Sequence, residues 1–162
     1  MNGKAVADVN AAFEGIEAAA AKIEKRIIQA TQAACLNIVT MARNLPSPGK
    51  QAKWRTVDGK KIYNPHQPNY IDDTGVLRES IGFSIYNQGQ QVVKNFGGGE
   101  GEGLALAACN QVAAKFPNTI VAVIVAGAEY AAAVESKGYF VLSEPVSHLS
   151  EQLRLYYKQI KI

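Results

Sequence analysis

Apolar residues recur at steps of three or four through the first 45 residues, and this pattern constrains the fold more than any other feature. The positions are Val6, Val9, Phe13, Ile16, Ala20, Ile23, Ile27, Ala30, Ala34, Ile38, Met41 and Leu45. Such spacing places apolar side chains on one face of an α-helix. Alanine, which has the highest helix propensity, fills much of the remainder. The sequence therefore predicts one long N-terminal helix.

The predicted helix ends near Asn44, because Pro46 and Pro48 follow it and the residue before a proline is driven out of helical geometry. A helix of this length spans ~60 Å, which is longer than a domain of this size is wide. The apolar steps average about 3.5 residues, as in helices that pack against other helices. Two interpretations stay open: a single core-facing helix with a frayed start, and a helix that leans on neighbouring subunits.

A long connection at 46–73 carries four prolines and a predicted β-hairpin. The hairpin turn is Asp58-Gly59, a favoured two-residue turn because glycine adopts positive φ at little cost. Five basic residues make this part the most basic of the chain: Lys50, Lys53, Arg55, Lys60 and Lys61. Beside Trp54 and Tyr63, these residues could contact phosphates and bases. A solvated hairpin whose aromatic residues pack on the domain is the alternative.

Residues 74–162 show short apolar patterns that predict alternating helices and strands. Leu77 and Ile81 stand four positions apart, as on one face of a short helix that Asp73 or Thr74 would cap. The β-branched run 120–126 is the best candidate for a central strand. The other predicted elements are a strand at 82–86, a flexible glycine-rich loop at 97–103, a helix at 104–116, an apolar strand or turn at 139–142, and a helix at about 145–158.

This succession predicts an α+β fold in a single domain over residues 1–162. The long helix takes residues 1–45, and the extended loop with its hairpin takes 46–73. An α+β core with a small, mainly antiparallel sheet and a C-terminal helix takes 74–162.

The cysteines and the charge balance narrow the class of protein. Cys35 and Cys109 lie in alanine-rich apolar stretches, which indicates buried free thiols in a reducing compartment; one disulfide is the alternative. The net charge is +3, from 17 Lys and Arg against 14 Asp and Glu, which is mild for a dedicated nucleic-acid-binding protein. No apolar run of about 20 residues predicts a membrane span.

The residues that could carry chemistry predict no catalytic site, metal or cofactor. His66 and His148 are far apart and belong to no metal-ligand motif. The glycine-rich stretch lacks the Gly-Lys-Ser/Thr ending of a phosphate loop, and its residues Glu100 and Glu102 would repel phosphate. Asp72 and the residue after it lie in a turn context, where short acidic side chains cap backbone amides.

Two segments together resemble a known family. Asp73-Thr74-Gly75-Val76-Leu77-Arg78-Glu79-Ser80-Ile81 is similar to the Asp-Thr-Gly-x-Leu-Arg-x-Ser-Ile signature of a family of phage minor tail components. The second segment is Ala128-Glu129-Tyr130-Ala131-Ala132-Ala133-Val134-Glu135, followed by Gly138 and then Val141-Leu142-Ser143-Glu144-Pro145. It is similar to the Tyr-Ala-x-x-Val-Glu motif of the same family, with its following glycine and apolar stretch. The order of the two motifs matches, and the resemblance covers roughly residues 5–155.

The resemblance implies a structural virion protein of a long-tailed phage or prophage, not an enzyme. Members of that family act in tail completion or head–tail joining at the neck, and the structural group tends to form rings around the tail axis. The implied partners are further copies of this chain and other neck and tail proteins, with passing contact to DNA and none to a membrane. The implied location is the virion, and the host cytoplasm during assembly.

The residues supply candidates for the interfaces of such a ring. Arg78 would point away from the buried face of its helix, and Glu135 would lie at an edge, free to bridge to Arg78 or to another chain. A surface pair of these two within one chain is the alternative. Tyr130 and Val134 would share a face and pack on the core. The hairpin residues Trp54, Lys60, Lys61 and Tyr63 complete the set of interface candidates.

Two expectations on assembly and function remain. The segments 46–72 and 87–103 are expected to be exposed or disordered in the isolated subunit and to order on assembly. A nucleic-acid-binding module that uses the hairpin around Trp54, Lys60 and Lys61 is the alternative function, and a small enzyme or an unrelated binding protein is a third class.

Overall fold

The computed structural model describes residues 2–45, 54–57, 60–63, 75–99 and 101–160, with side chains over 10–45, 75–99 and 101–160. Helices lie at both ends of the chain and strands lie between them, which confirms the predicted α+β class. The elements are α1 (Asn2–Asn44), β1 (Trp54–Val57), β2 (Lys60–Tyr63), α2 (Val76–Ser80), β3 (Ile81–Asn87), β4 (Gln90–Asn95), α3 (Gly101–Ala113), β5 (Ile120–Ala126), α4 (Ala131–Ser136), α5 (Ser143–Ser147) and α6 (Leu149–Tyr157).

The long helix and the hairpin form as the sequence predicts. α1 ends at Asn44, immediately before the proline-containing segment. β1 and β2 pair antiparallel, with Trp54 opposite Tyr63 and Val57 opposite Lys60. The turn at 58–59 and the caps predicted at Asp73 and Thr74 lie outside the described residues.

A three-stranded antiparallel sheet with the order β4-β3-β5 forms the centre of the fold. Six consecutive residues of β3, 81–86, are buried, so the strand is covered on both faces. The prediction that 120–126 is the central strand is wrong, because β5 pairs with β3 alone among the described strands. The apolar composition of β5 reflects contact with helices. A sequence pattern cannot distinguish a strand that helices cover from one that lies between two other strands.

Helices cover the sheet on both faces and give three layers. Phe83 and Ile85 pack with Val39 of α1 on one face. Tyr86, which points to the other face because side chains alternate along a strand, packs with Cys109 of α3. The predicted buried free thiols are confirmed, and Cys35 lies in the α1 layer, across the sheet from Cys109. Burial raises the pKa of each thiol to about 11.

The predicted flexible loop at 97–103 is wrong. The Gly97 amide donates a hydrogen bond to the Glu79 carbonyl at 3.0 Å, and α3 already begins at Gly101. Gly101 lies directly against Ser80, where any added Cβ would overlap the Ser80 side chain. These glycines permit close packing, so a high glycine content does not by itself indicate a flexible loop. Within 87–103, β4 is formed and most of its residues are exposed, which agrees with the expectation of an exposed segment and not with that of a disordered one; ordering on assembly stays a prediction. Residues 46–72 lie outside the described residues except for β1 and β2.

The C-terminal segment forms two helices, where the sequence predicts one. α5 and α6 meet at His148, and α6 packs along α1. The Asn37 side-chain amide donates hydrogen bonds to Gln152 Oε1 at 3.0 Å and to the Tyr156 hydroxyl at 2.8 Å. The hydroxyls of Thr31 and Tyr157 lie 2.8 Å apart. Polar pairs therefore fix the angle of α6 on the long helix.

Gly127→Ala is expected to lower the free energy of unfolding by about 1–3 kcal/mol, because overpacking strains a close contact. An added Cβ would lie 2.7 Å from the Ala105 Cβ and 2.9 Å from its amide nitrogen, at the crossing of β5 and α3. The matched control is Gly103→Ala in α3, where an added Cβ meets nothing within 4 Å. This control is expected to raise stability by up to about 1 kcal/mol through helix propensity. Urea denaturation followed by circular dichroism measures both, and equal stability of the two variants would contradict the packing of α3.

Candidate functional site

The first motif segment builds a buried junction in the centre of the molecule. Gly75, with φ of 80°, begins α2, and a left-handed φ of this kind favours glycine. Leu77 and Ile81 are both buried, but the prediction that they share one face of a short helix is wrong, because α2 ends at Ser80 and Ile81 is the first residue of β3. Ser80 is fully buried; its hydroxyl donates a hydrogen bond to the Leu77 carbonyl at 2.8 Å and accepts one from the Ala128 amide at 3.0 Å.

The same junction holds the second motif segment in place. The Gly127 amide donates to the Ser80 carbonyl at 3.1 Å, so the end of β5 and the start of the second motif are tied to the end of α2. Two stretches about 50 residues apart in sequence therefore meet at one serine, since Ser80 and Ala128 are separated by 48 positions. The junction is closed to solvent, and its geometry fits a structural role.

Glu135 has an intramolecular role that the sequence did not predict. Its Oε1 accepts hydrogen bonds from the amides of Val141, Leu142 and Ser143 at 3.1, 2.7 and 2.8 Å. Partial burial raises the pKa of this carboxyl, but the three amides outweigh it and hold the pKa below its ordinary value. The carboxylate thus fixes the segment before α5, and the predicted bridge from Glu135 to Arg78 or to another chain stays a prediction.

Tyr130 does not pack on the core, so that prediction is wrong. Its side chain is 43% exposed at the position before α4, whereas Ala131 takes the buried place and Val134 packs against the core. The i, i+4 rule assumes that both residues lie within one helix, and α4 begins one residue too late for this.

Arg78 lies on the exposed side of α2, as predicted. A second guanidinium, that of Arg43 in the last turn of α1, donates to the Ile81 carbonyl from Nε at 3.0 Å and from Nη2 at 2.7 Å. Burial and then the nearby charge of Arg78 lower the pKa of Arg43. The two arginines therefore form a cationic cluster beside the start of β3.

The other interface candidates lie on the hairpin. The backbone of β1 and β2 brings Trp54, Lys60, Lys61 and Tyr63 onto one two-stranded unit. Their side chains lie outside the described part, so the nucleic-acid interpretation stays a prediction.

The most exposed apolar feature is the segment of α1 that precedes the body of the protein. Every residue from 10 to 20 is exposed, and we call this segment the arm. Phe13 is 60% exposed and Ile16 is 64% exposed, although both belong to the apolar stripe of α1. Glu24 is the point where α1 reaches the body, since its Oε1 accepts a hydrogen bond from Asn87 Nδ2 at 2.7 Å.

An open groove of about 750 Å³ lies beneath α1, between that helix, β5 and α6. Its lining is about as polar as it is apolar, and most of the polar groups gather at the end where β3 leaves the sheet and β5 enters it. The apolar lining includes Ile27, Cys35, Ile120, Ile124, Val146, Leu149 and Leu153. No sequence pattern indicated the groove. The length of α1 relative to the width of one domain did indicate a helix that extends to neighbouring subunits, and the structure shows that residues 10–20 are the exposed part.

Neither a related protein nor a recognised type of chemical site assigns a function to this chain. Comparison with protein families, with curated proteins and with solved structures finds no match to this chain. Among the residues that the structure describes, no helix is long and apolar enough to cross a membrane. The same residues contain no group of three or more His, Cys, Asp or Glu side chains that could hold a metal ion.

Glu135→Gln is expected to lower the free energy of unfolding at pH 7 by about 1 kcal/mol or more, because hydrogen bonds to a charged acceptor are stronger than those to a neutral one. A carboxyl whose pKa falls on folding stabilises the protein above its unfolded pKa, and this stabilisation is lost as pH falls through the folded pKa. The difference in stability between wild type and Glu135→Gln should therefore be largest above pH 4.5, the ordinary pKa of a glutamate, and should vanish at lower pH.

Thermal denaturation between pH 3 and pH 7 measures this dependence, with Glu129→Gln as the control. Glu129 is an exposed carboxyl in the same part of the chain, so its variant removes an equal charge without the three amide contacts. If the difference between wild type and Glu135→Gln did not change with pH, the carboxylate would not hold the segment before α5 as described.

Proposed function

We propose that the protein is a structural component of a tailed-phage or prophage virion, which acts in tail completion or head–tail joining as one subunit of a ring. The arm is the observation that carries this proposal. It presents Phe13 and Ile16 to solvent at 60% and 64% exposure, on a helix that continues beyond the body. Exposed apolar groups on an extended element are typical of a surface that a protein neighbour covers.

The positions of the two motif segments support the proposal. Both segments meet at the Ser80 junction, where they serve the fold. A shared fold is what the resemblance to phage tail components implies. Because Ser80 is fully buried, its hydroxyl has no access to a substrate, and the motif is better explained by packing than by catalysis.

A ring also needs two unlike surfaces on each subunit, because head-to-tail contacts join a front to a back. The arm and the groove are such a pair, since one projects from the body and the other is a recess within it. In the proposed role the subunit assembles in the host cytoplasm and stays in the virion. Its neighbours are further copies of this chain and other neck or tail proteins.

Peptide mass spectrometry of purified particles tests the proposal. The expected result is detection of this chain at a few to about a dozen copies per particle, as one ring requires, with the major tail protein as the internal standard. Particles from a strain that lacks the gene are the control and should be fewer or defective at the joint. Absence of the chain from intact tailed particles would contradict the proposal.

A filter-binding assay with double-stranded DNA tests the alternative function. The proposal predicts no binding that depends on the hairpin, so wild type and a Lys60→Ala, Lys61→Ala variant should behave alike. Lys115→Ala, Lys137→Ala is the matched control for the loss of two positive charges from exposed positions. Affinity that weakens steeply with salt and is lost only in the hairpin variant would favour the nucleic-acid-binding module.

A further inference from the structure

We propose that the groove of one subunit holds the arm of a second copy of the same chain. This inference deepens the proposed function by naming the contact that builds the ring, and it rests on that function in taking the partner to be another copy. The contact is heterologous, because it joins two different surfaces. Each subunit inserts its arm into the groove of one neighbour and receives the arm of the other neighbour in its own groove.

The arm cannot reach the groove of its own chain. α1 is one helix from Asn2 to Asn44, and the groove lies under its middle part at Ile27 and Cys35. A straight helix does not fold back on itself, so residues 10–20 point away from the recess that their own helix covers. Any arm that fills the groove therefore belongs to another molecule.

The arm offers the same kind of surface that α1 already buries. Phe13, Ile16 and Ala20 continue the stripe that includes Ile23 and Ile27, at steps of three and four. Ile27 lines the groove within the body, whereas Phe13 and Ile16 are exposed beyond it. One continuous stripe is thus half covered by its own chain and half uncovered.

The groove offers a recess of suitable size with an apolar part between β5 and α6. Ile120 and Ile124 of β5 line it on the sheet side, and Leu149 and Leu153 of α6 line it on the helix side. Its volume of about 750 Å³ is large enough for several side chains of one helix face. Insertion of an apolar helix face would remove both surfaces from water, which is the dominant gain in protein association.

Charges are complementary along the α6 side of the groove, although Glu24 of α1 also belongs to the lining. Glu14 and Glu17 each follow a stripe residue by one position, and residues 10–21 contain no basic residue. Arg154 and Lys158 of the α6 end each follow a groove-lining residue by one position and are exposed. The acidic flank of an inserted arm would therefore meet a basic rim, which favours the docked orientation.

Pairing of one arm with another arm is less well supported. In the heptad defined by Phe13 and Ile16, the flanking positions hold Glu17 and Glu24 on one side and alanines on the other. Parallel helices would place these glutamates opposite alanines, and antiparallel helices would place them opposite each other. Neither arrangement gives the acidic flank a cation, and both leave the groove empty.

Disulfide trapping between two full-length variants tests the contact directly. Ile16→Cys is mixed with Leu153→Cys under mild oxidation, and peptide mass spectrometry identifies the linked cysteines. Both variants also carry Cys35→Ala, because Cys35 lines the groove, whereas Cys109 is buried on the other face of the sheet and stays in place. The expected product links position 16 to position 153 and has twice the chain mass of 17.4 kDa. Ala18→Cys, an exposed arm position off the stripe, is the control and should give at least tenfold less of the mixed product.

Two results would overturn the inference: links between two copies of position 16, which indicate paired arms, or no link above the Ala18→Cys control. A charge exchange adds an independent measurement by analytical ultracentrifugation. Glu17→Arg should weaken self-association at least tenfold, and Arg154→Glu in the same chain should restore it. Every residue of the arm is exposed, so these arm variants should keep the circular dichroism of wild type.

The failure of this inference is distinguishable from that of the proposed function. If the chain is found in particles but position 16 does not link to position 153, only the arm-in-groove contact is wrong. If the link forms but intact particles lack the chain, the contact stands and the virion role falls.

Discussion

The packing of α2 against the start of α3 and the end of β5 depends on the buried hydroxyl of Ser80. That hydroxyl accepts a hydrogen bond from Ala128, while Gly101 and Gly127 let the neighbouring backbones approach where any larger residue would overlap. A buried polar group of this kind is stable only when its partners are present. The junction therefore fixes the sheet and α3 relative to each other, and the helices on the other side pack against the opposite face of this sheet.

α1 crosses the sheet and is much longer than the strands of the sheet. A strand of seven residues such as β3 spans about 23 Å, whereas the 43 residues of α1 span about 65 Å. The end of the helix is tied to the body by Arg43 and its middle by Asn37, so the excess length projects at the other end as the arm. The exposed apolar stripe and the open groove both follow from this mismatch between one helix and a small sheet.

Sequence patterns captured the elements whose signals are local. The periodicity and the prolines predicted the extent of α1, the Asp58-Gly59 turn predicted the hairpin, and the alternation of elements predicted the α+β class. Features that depend on tertiary packing were missed. Four features depend on which surfaces meet in the folded chain: the central place of β3, the start of α3 among glycines, the hydrogen bonds that Glu135 accepts from the amides before α5, and the exposure of Tyr130. The groove belongs to this second group, because it does not exist as a site until the body is folded, whereas the length of α1 already indicated that part of the helix extends beyond one domain.

Amide hydrogen exchange of residues 10–20, measured as a function of protein concentration, tests most directly whether this fold is built to assemble. If the arm is covered by a second copy, its exchange should slow as concentration rises and approach that of residues 30–42, which are packed on the body. Equal and fast exchange of the arm at every concentration would mean that no copy of the chain covers it, and assembly through this surface would be contradicted.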